Sequence, residues 1–467
     1  MNQSHKNSVT ELSKKIKILF KAKKPFRIFH GSTNSTRILK FEKDKMVDIS
    51  SLNHVLAIDK KLKTAVVEPN VSMDKLVAAT LRKGLIPPIV MEFPGITVGG
   101  AVQGNGGESS SFKWGTFNQI FNWYEIILAN GGVLRTSAQD NSDLFYGIPG
   151  SAGTLGVLTA AEIRLIPAKR FVALIYIPVA SFKEVKNVID KEVKKNHDFI
   201  DGIMFSKEHG VVIVGTLTDS AVNKVKRFSR ATDQWYYLHV ENNFARYPKG
   251  WLETVPLKDY LFRYDRGAFW VGRFAFKMFG IPYSRFTRWL LNPLLHTRKL
   301  YQALQESGAS QQHVVQDLVI PGKKAVKFLD FIDTKVAIYP LWLCPMLVDK
   351  LSPFQLNNIN TDSILNIGVW GDSISKYSEF IAKNKQIEAK VLELGGKKWS
   401  YAHSYFTTRQ FWSMYDKILY DSLRQKYYAT HLPTIYDKLT VKDRVEITKK
   451  KAVLRTLFGV AKLRVEK

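Results

Sequence analysis

Apolar and polar positions alternate in short runs through the first third of the chain. Residues 26–29 (FRIF), 46–50 (MVDIS) and 64–69 (TAVVEP) each read as a short strand, with HGSTNSTR between the first two as a loop. Residues 10–24 are basic and carry a helical spacing. The spacing predicts an amphipathic helix over 72–84 (SMDKLVAATLRKG), capped by Ser72 and stopped by Gly84. Strands return at Glu125–Ala129 and Val133–Thr136, joined by Asn130-Gly131-Gly132, a hairpin signal. Residues 157–166 (VLTAAEIRLI) alternate as a half-buried strand.

The pattern shifts near Pro167. Beyond it FVALIYIPV, GIMFS and GVVIVGTLTD read as strands, 181–195 as a helix, and 313–320, 335–343 and 364–370 as strands again. Residues 407–428 are helical and aromatic. No internal repeat or low-complexity tract interrupts this. The class is α+β, divided into a glycine-rich unit (1–169), a larger second unit (170–398) and a helical end (399–467).

The 467 residues have ordinary globular composition, 45% hydrophobic and 24% charged, so bulk disorder is excluded. The charge is not ordinary: 69 Lys and Arg against 41 Asp and Glu give +28, which calls for an anionic partner. Nucleic-acid binding wants lysines interleaved with aromatics on one face, whereas here the charge is spread along the chain; no specific nucleic-acid partner is expected. An anionic membrane surface suits residues 268–300 better. There bulky apolar residues alternate with Arg and Lys and no acid occurs. The alternative for that stretch is a core helix pair with solvated arginines. The basic tail, 449–467, reads as a solvated terminal helix. The single cysteine, Cys344, excludes an intrachain disulfide and a cysteine-based zinc site. The N-terminus has no apolar stretch ahead of its lysines, and Leu144–Ala161, the longest uncharged run, holds four glycines and a proline. Neither a signal peptide nor a spanning helix is expected. The expected location is cytoplasmic, peripheral to a membrane.

Three glycine-bearing clusters carry candidate chemistry. Gly31-Ser32-Thr33-Asn34-Ser35 follows a strand and offers N–H groups and hydroxyls to phosphate oxygens. Thr97-Val98-Gly99-Gly100 leads into Gly104-Asn105-Gly106-Gly107 and then Glu108-Ser109-Ser110-Ser111, a backbone that a ligand can approach closely. It lacks the Gly-Lys-Ser/Thr ending of a Walker loop, and the strand–helix–acid layout of a doubly wound dinucleotide fold. Gly147, Gly150, Gly153 and Gly156 recur every third residue around Thr154 and run into the strand from Val157. Each cluster alone also suits an ordinary turn.

In this order and spacing the three clusters resemble the non-Rossmann (PCMH-type) FAD-binding domain of the vanillyl-alcohol oxidase class, which has two α/β subdomains and is joined here to an α+β substrate or cap domain. The resemblance narrows to the Δ24-sterol reductases through Glu68-Pro69, Asn141–Tyr146, Gln312–Asp317, Tyr339–Pro345, Phe411-Trp412 and Ile435–Lys438. It spans about residues 25–440. Departures are the first loop, Gly150 where those enzymes have Trp, Phe112 where they have His, and their N-terminal membrane helix. The resemblance implies FAD on Gly31, Ser32, Thr33, Asn34, Ser35, Thr97, Gly99, Gly100, Gly104, Asn105, Gly106, Ser109, Ser110, Gly153, Thr154, Gly156 and Val157. It also implies a lipid substrate, with NAD(P)H as electron donor. Asn34 stands where tethering members carry His, and an amide forms no such bond, so noncovalent FAD is expected.

Reducing an isolated alkene with hydride also needs a proton across the double bond. Candidate donors are Tyr405, His313 and Glu92, with Asp317, Tyr401 and His403 behind them; each also suits a structural role. Trp342, Phe411 and Trp412 read as core. Alternative functions are an oxidase of a small polyol or lactone, and a non-catalytic basic membrane- or nucleic-acid-binding protein. No metal-ligand spacing appears.

Overall fold

The computed structural model describes residues 2–31, 34–37, 42–373 and 376–441. Helix α1 (Gln3–Lys21) opens the chain, beginning before the basic run that predicts it. Its apolar residues Val9, Leu12, Ile16 and Leu19 recur at helical spacing and are buried. Each contributes about 1.5–3 kcal/mol if fully buried. Strands β1 (Arg27–Phe29) and β2 (Met46–Asp48) then pair in parallel. A second sheet follows, built from β3 (Val55–Asp59), β4 (Thr64–Val67), β5 (Phe121–Leu128), β6 (Val133–Ser137) and β7 (Gly156–Arg164). Its order is β3-β4-β7-β5-β6. The β5–β6 turn is the expected hairpin. Strand β3 was not legible in the sequence.

Strand β7 corrects a detail of the pattern. It is buried on both faces, not one, because the inner core packs on one side and the cluster under α1 on the other. Leu158, Ala161 and Ile163 face the inner core, while Val157 packs in the cluster under α1. Helix α2 (Met73–Leu81) matches the prediction, although the Ser72 hydroxyl donates to Asp74 Oδ1 (2.5 Å) rather than capping. The glycine tract contains a short helix of its own, α3 (Val98–Gln103), whose N-cap Thr97 Oγ1 accepts from Gly100 N (3.2 Å).

From Phe171 onward every strand joins an eight-stranded antiparallel sheet. Its members are β8 (Phe171–Val179), β9 (Phe199–Met204), β10 (Gly210–Thr218), β11 (Trp251–Pro256), β12 (His313–Pro321), β13 (Leu341–Met346), β14 (Ile364–Ser373) and β15 (Lys397–Lys398). Their order is β11-β8-β10-β9-β13-β14-β12-β15. The strand expected at 335–343 starts only at Leu341, because residues Ile332–Val336 continue a helix. Period-two alternation sorts the two faces of this sheet. Leu341, Leu343, Val314 and Leu318 lie beneath helices α4 (Phe182–Glu192) and α5 (Tyr377–Glu393). Trp342, Val315, Val319 and Trp370 face the other way, into an aromatic cluster with Trp235, Phe269 and Trp270.

The segment 268–300 is only partly surface. Helices α6 (Gly272–Phe279) and α7 (Arg285–Leu290) lie in it and α8 (Thr297–Ser307) begins in it, yet Phe269, Trp270 and Phe276 are core. Arg288 also turns inward, its guanidinium 4.7 Å from the Tyr283 ring centre. The last helices return to the first unit: Phe411, Tyr420, Leu423 and Ile435 pack in its core. Among the described residues no helix is long and apolar enough to cross a membrane. The tail, 449–467, lies outside the described residues.

Candidate active site

One cavity of about 430 Å³ lies where β1, the glycine tract, the aromatic face of the large sheet and helices α6 and α8 meet. Backbone forms one wall, at Gly99, Gly100, Gly104, Gly106 and Gly153. A Cβ on Gly100 would meet only Thr97 Oγ1 at 3.0 Å, so this glycine opens onto the empty space. Gly153 needs its lack of a side chain, with φ +69° and Ile28 Cδ1 2.7 Å from where a Cβ would stand. Gln103 Oε1 accepts from Gly153 N (2.8 Å) and Ser151 Oγ (3.0 Å), which ties the third glycine cluster to the second. The opposite wall is apolar: Val271, Phe274, Met278, Leu300, Leu304, Trp342 and Trp370.

Acids gather on one side. Glu92 faces the cavity, and burial, then the nearby Glu108 charge, pushes its carboxyl up to about 8. Asp317, on β12, is raised to about 6 by burial, against the stabilising bonds it accepts from Tyr401 Oη (2.5 Å) and Asn366 Nδ2 (3.1 Å). At neutral pH, Glu92 therefore keeps its proton while Asp317 is ionised. Two carboxyls in one cavity with separated titrations are the ordinary arrangement for acid–base work. Burial lifts both Tyr301 and Tyr401 above the usual phenol range.

Cations gather elsewhere in the same cavity. Arg27 (β1), Arg37 and Lys438 line it, with His30, Asn34 and Ser35 beside them. Lys438 belongs to the short helix α10 (Ile435–Leu439), which follows α9 (Lys417–Lys426). Burial, then the charges of Arg27 and Arg37, lowers the Lys438 ammonium to about 7. Burial and Lys438 lower the His30 imidazole to about 4.

The predicted residues divide. Asn34, Ser35, Thr97, Gly99, Gly100, Gly104, Gly106 and Gly153 line the cavity, as do Glu92 and His313, whose ring lies against Phe274. Gly31 does not line the cavity, although its chain neighbour His30 does, and takes φ +73°; Ser32 and Thr33 lie outside the described residues. The others do not line the cavity. Asn105 takes a left-handed turn (φ 59°) and donates its amide to Phe354 O (3.4 Å). Ser109 and Ser110 are buried at the junction with the large sheet, where Ile200 N donates to Ser109 O (2.8 Å). Thr154 accepts from Tyr420 Oη (2.7 Å), Gly156 opens β7 opposite Leu128, and Val157 is core.

Tyr405 needs correction as the leading donor. It is not among the residues lining the cavity. Its ring packs near Phe380 and His403 in the core behind the large sheet, because the Tyr405 N–H is held by Glu388 Oε1 (3.0 Å). Trp342 corrects the other way, being both core and cavity wall. The cations and Tyr301 were missed as site residues; the only signal for Lys438 was its place in the block Ile435–Lys438. Among the described residues no group of His, Cys, Asp and Glu is placed to hold a metal.

A glycine wall open to the cavity, cations beside it and a long apolar wall fit a flavin dinucleotide. Comparison with known proteins agrees. A family model described as an FAD binding domain matches residues 6–137. The chain is 34% identical to the human Delta(24)-sterol reductase over 414 residues, 87% of this chain and 80% of that protein. It is 31% identical to the Delta(24)-sterol reductase of Arabidopsis thaliana over 418 residues, 82% and 74% of the two chains. A shorter match, 32% over 136 residues, joins 28% of this chain to 26% of cytokinin dehydrogenase 9 of Oryza sativa subsp. japonica. With an FAD-binding domain matched and relatives of this identity along most of its length, the chain belongs to the Δ24-sterol reductase family of FAD-dependent oxidoreductases acting on carbon–carbon double bonds.

Proposed function

We propose that the protein reduces a carbon–carbon double bond of a sterol or isoprenoid lipid, with Glu92 as the proton donor, FAD bound noncovalently and NAD(P)H as the source of electrons. The observation that carries this reading is Glu92, a buried carboxyl raised to about 8, facing a cavity with a long apolar wall. FAD supplies hydride chemistry when bound. The chain's own residues do the rest. Phe274, Met278, Leu300 and Trp370 exclude water and match an apolar skeleton. Glu92 holds the proton that an alkene carbon requires, and His313 and Tyr301 bound the space beside it. A polyol or lactone would leave that apolar wall unmatched, which disfavours the oxidase reading. Asn34 has no nitrogen able to make a tether.

The test is Glu92→Gln. Flavin should remain bound and reducible by NAD(P)H, while turnover of a Δ24-sterol falls by about 10²–10⁴-fold, the usual yield of general acid catalysis. Wild-type kcat/KM should decline as pH rises through about 8, where Glu92 loses its proton. Undiminished turnover in the variant would remove Glu92 from the chemistry.

The same reading places the protein on an anionic membrane face. Phe286, Trp289 and Leu290 are 65, 46 and 58% exposed, beside exposed Arg273, Lys277 and Arg285. Phe279 is 40% exposed and also lines the cavity, so the cavity opens next to this patch. Replacing Trp289 and Leu290 with Ser should reduce sedimentation with anionic liposomes, most visibly at high salt, where screening removes the electrostatic share. Equal sedimentation would sink the docking proposal.

A further inference from the structure

We infer that the two phosphates of the bound dinucleotide are neutralised by Lys438, Arg37 and Arg27, and that taking up FAD also takes up a proton on Lys438. This rests on the flavin reading above and extends it to a helix far beyond the residues that the FAD-domain model matches.

The three cations reach the cavity from three segments: β1, the loop after it and helix α10. Among the described residues their side-chain hydrogen bonds end on backbone carbonyls. Lys438 donates to Ala152 O, Arg37 to Ser400 O and Ala402 O (2.8 Å), and Arg27 to Asp437 O (3.3 Å). Carbonyls orient a cation without cancelling its charge. Among the described residues no carboxylate forms an ion pair with Lys438 or Arg37. The groups acting on Lys438 are Arg27 on β1 and His30 and Arg37 in the following loop, while Asp437, next to it on its own helix, accepts at Oδ2 from Thr434 N (3.0 Å). His30 is neutral in this setting.

The position also fits. The Lys438 Nζ lies 3.6 Å from where a Cβ on Gly153 would stand, at the glycine wall itself. Like charges converging on bare backbone suit an anion. A dinucleotide brings two adjacent negative charges, and charge-assisted bonds to phosphate are the strong kind.

The proton follows from the charge. Without an anion, Lys438 titrates at about 7. A phosphate beside it favours the ammonium and raises that value. Binding therefore draws in a proton wherever the free site is partly neutral. FAD affinity should be full below about pH 7 and fall as pH rises beyond it, until the pKa of the occupied site is passed.

The experiment uses the full chain stripped of flavin, with FAD and riboflavin as probes and flavin fluorescence as the readout. Riboflavin has the ring system and no phosphate. Lys438→Met should weaken FAD binding by about 10–100-fold near pH 6 and leave riboflavin binding within about twofold. Its FAD affinity should no longer depend on pH above neutrality. Lys438→Arg should restore tight binding without the pH dependence, since guanidinium stays charged, and it guards against a variant that merely misfolds. Equal losses for FAD and riboflavin would overturn the assignment, and so would unchanged FAD affinity in Lys438→Met. A wild-type chain that takes up no FAD would overturn the flavin reading itself, and this inference with it.

Discussion

Two charge clusters of the molecule contrast: in one a buried cation is paired with carboxylates, and in the other cations line the cavity with no carboxylate ion pair on Lys438 or Arg37 among the described residues. Behind the cavity, Arg263 Nη2 donates to Glu108 Oε1 (3.0 Å) and Asp201 Oδ2 (2.9 Å). Tyr264 Oη (2.9 Å) and Trp342 Nε1 (3.1 Å) also donate to Asp201 Oδ2, and the Arg263 guanidinium stacks 4.2 Å from the Tyr260 ring centre. All of these residues are sequestered from solvent. In the cavity, among the described residues, the Lys438 and Arg37 side chains donate to carbonyls and feel each other's charge and that of Arg27. The first cluster pairs its cation internally and joins the glycine-tract unit, through Glu108, to strand β9 of the large sheet. The second is the cluster we assign to the phosphates of the dinucleotide. Buried charge marks a ligand site when its counter-charge is absent, and a structural joint when it is present.

That contrast can be broken by removing one cation from each cluster. Arg263→Met should destabilise the fold most, by about 3–5 kcal/mol, because Glu108 and Asp201 are left buried and uncompensated. Thermal or urea unfolding would show it; a loss below about 1 kcal/mol would mean the joint is not held by charge. Lys438→Met should act with the opposite sign on flavin-free protein. Folding lowers this ammonium from 10.5 to about 7, so the folded state is penalised wherever the unfolded lysine is protonated. The variant should be more stable by about 2 kcal/mol below pH 7, after allowance for water in the cavity, with the gap closing as pH rises toward 10.5. A destabilised flavin-free variant would show that Lys438 is balanced internally after all.

The N-terminal helix supplies the smallest and sharpest case. His5 bridges Glu68 Oε1 (2.8 Å) and Glu125 Oε1 (3.0 Å), and its bonds to Glu125 and then Glu68 raise its imidazole from 6.5 to about 9. The stability this contributes is fully present below pH 6.5 and lost as pH rises through about 9. His5→Gln should cost about 1.5 kcal/mol at neutral pH and almost nothing above pH 10, read from unfolding midpoints across that range. A loss that stays constant with pH would assign His5 a packing role only.

The sequence by itself determined the periodic elements and the glycine-bearing walls. Residues 72–84, the hairpin at Asn130-Gly131 and the strands beyond Pro167 carry their own spacing, and spacing is local. Gly99, Gly100 and Gly153 were legible because only a missing Cβ serves both a close approach and a left-handed turn. Strand β3 has only five residues and alternates weakly, and α3 hides among glycines, which carry little helical preference of their own. What the tertiary structure decided was which side chains share a space. Tyr405 and Tyr401 stand four residues apart in an aromatic run, yet Glu388 fixes the first behind the sheet and Asp317 binds the second at the cavity. Arg27 and Lys438 are far apart in the chain and meet across one wall. Glu92 became an acid by being enclosed, since a carboxyl's pKa depends on the dielectric and the charges around it, and neither is a local property of sequence.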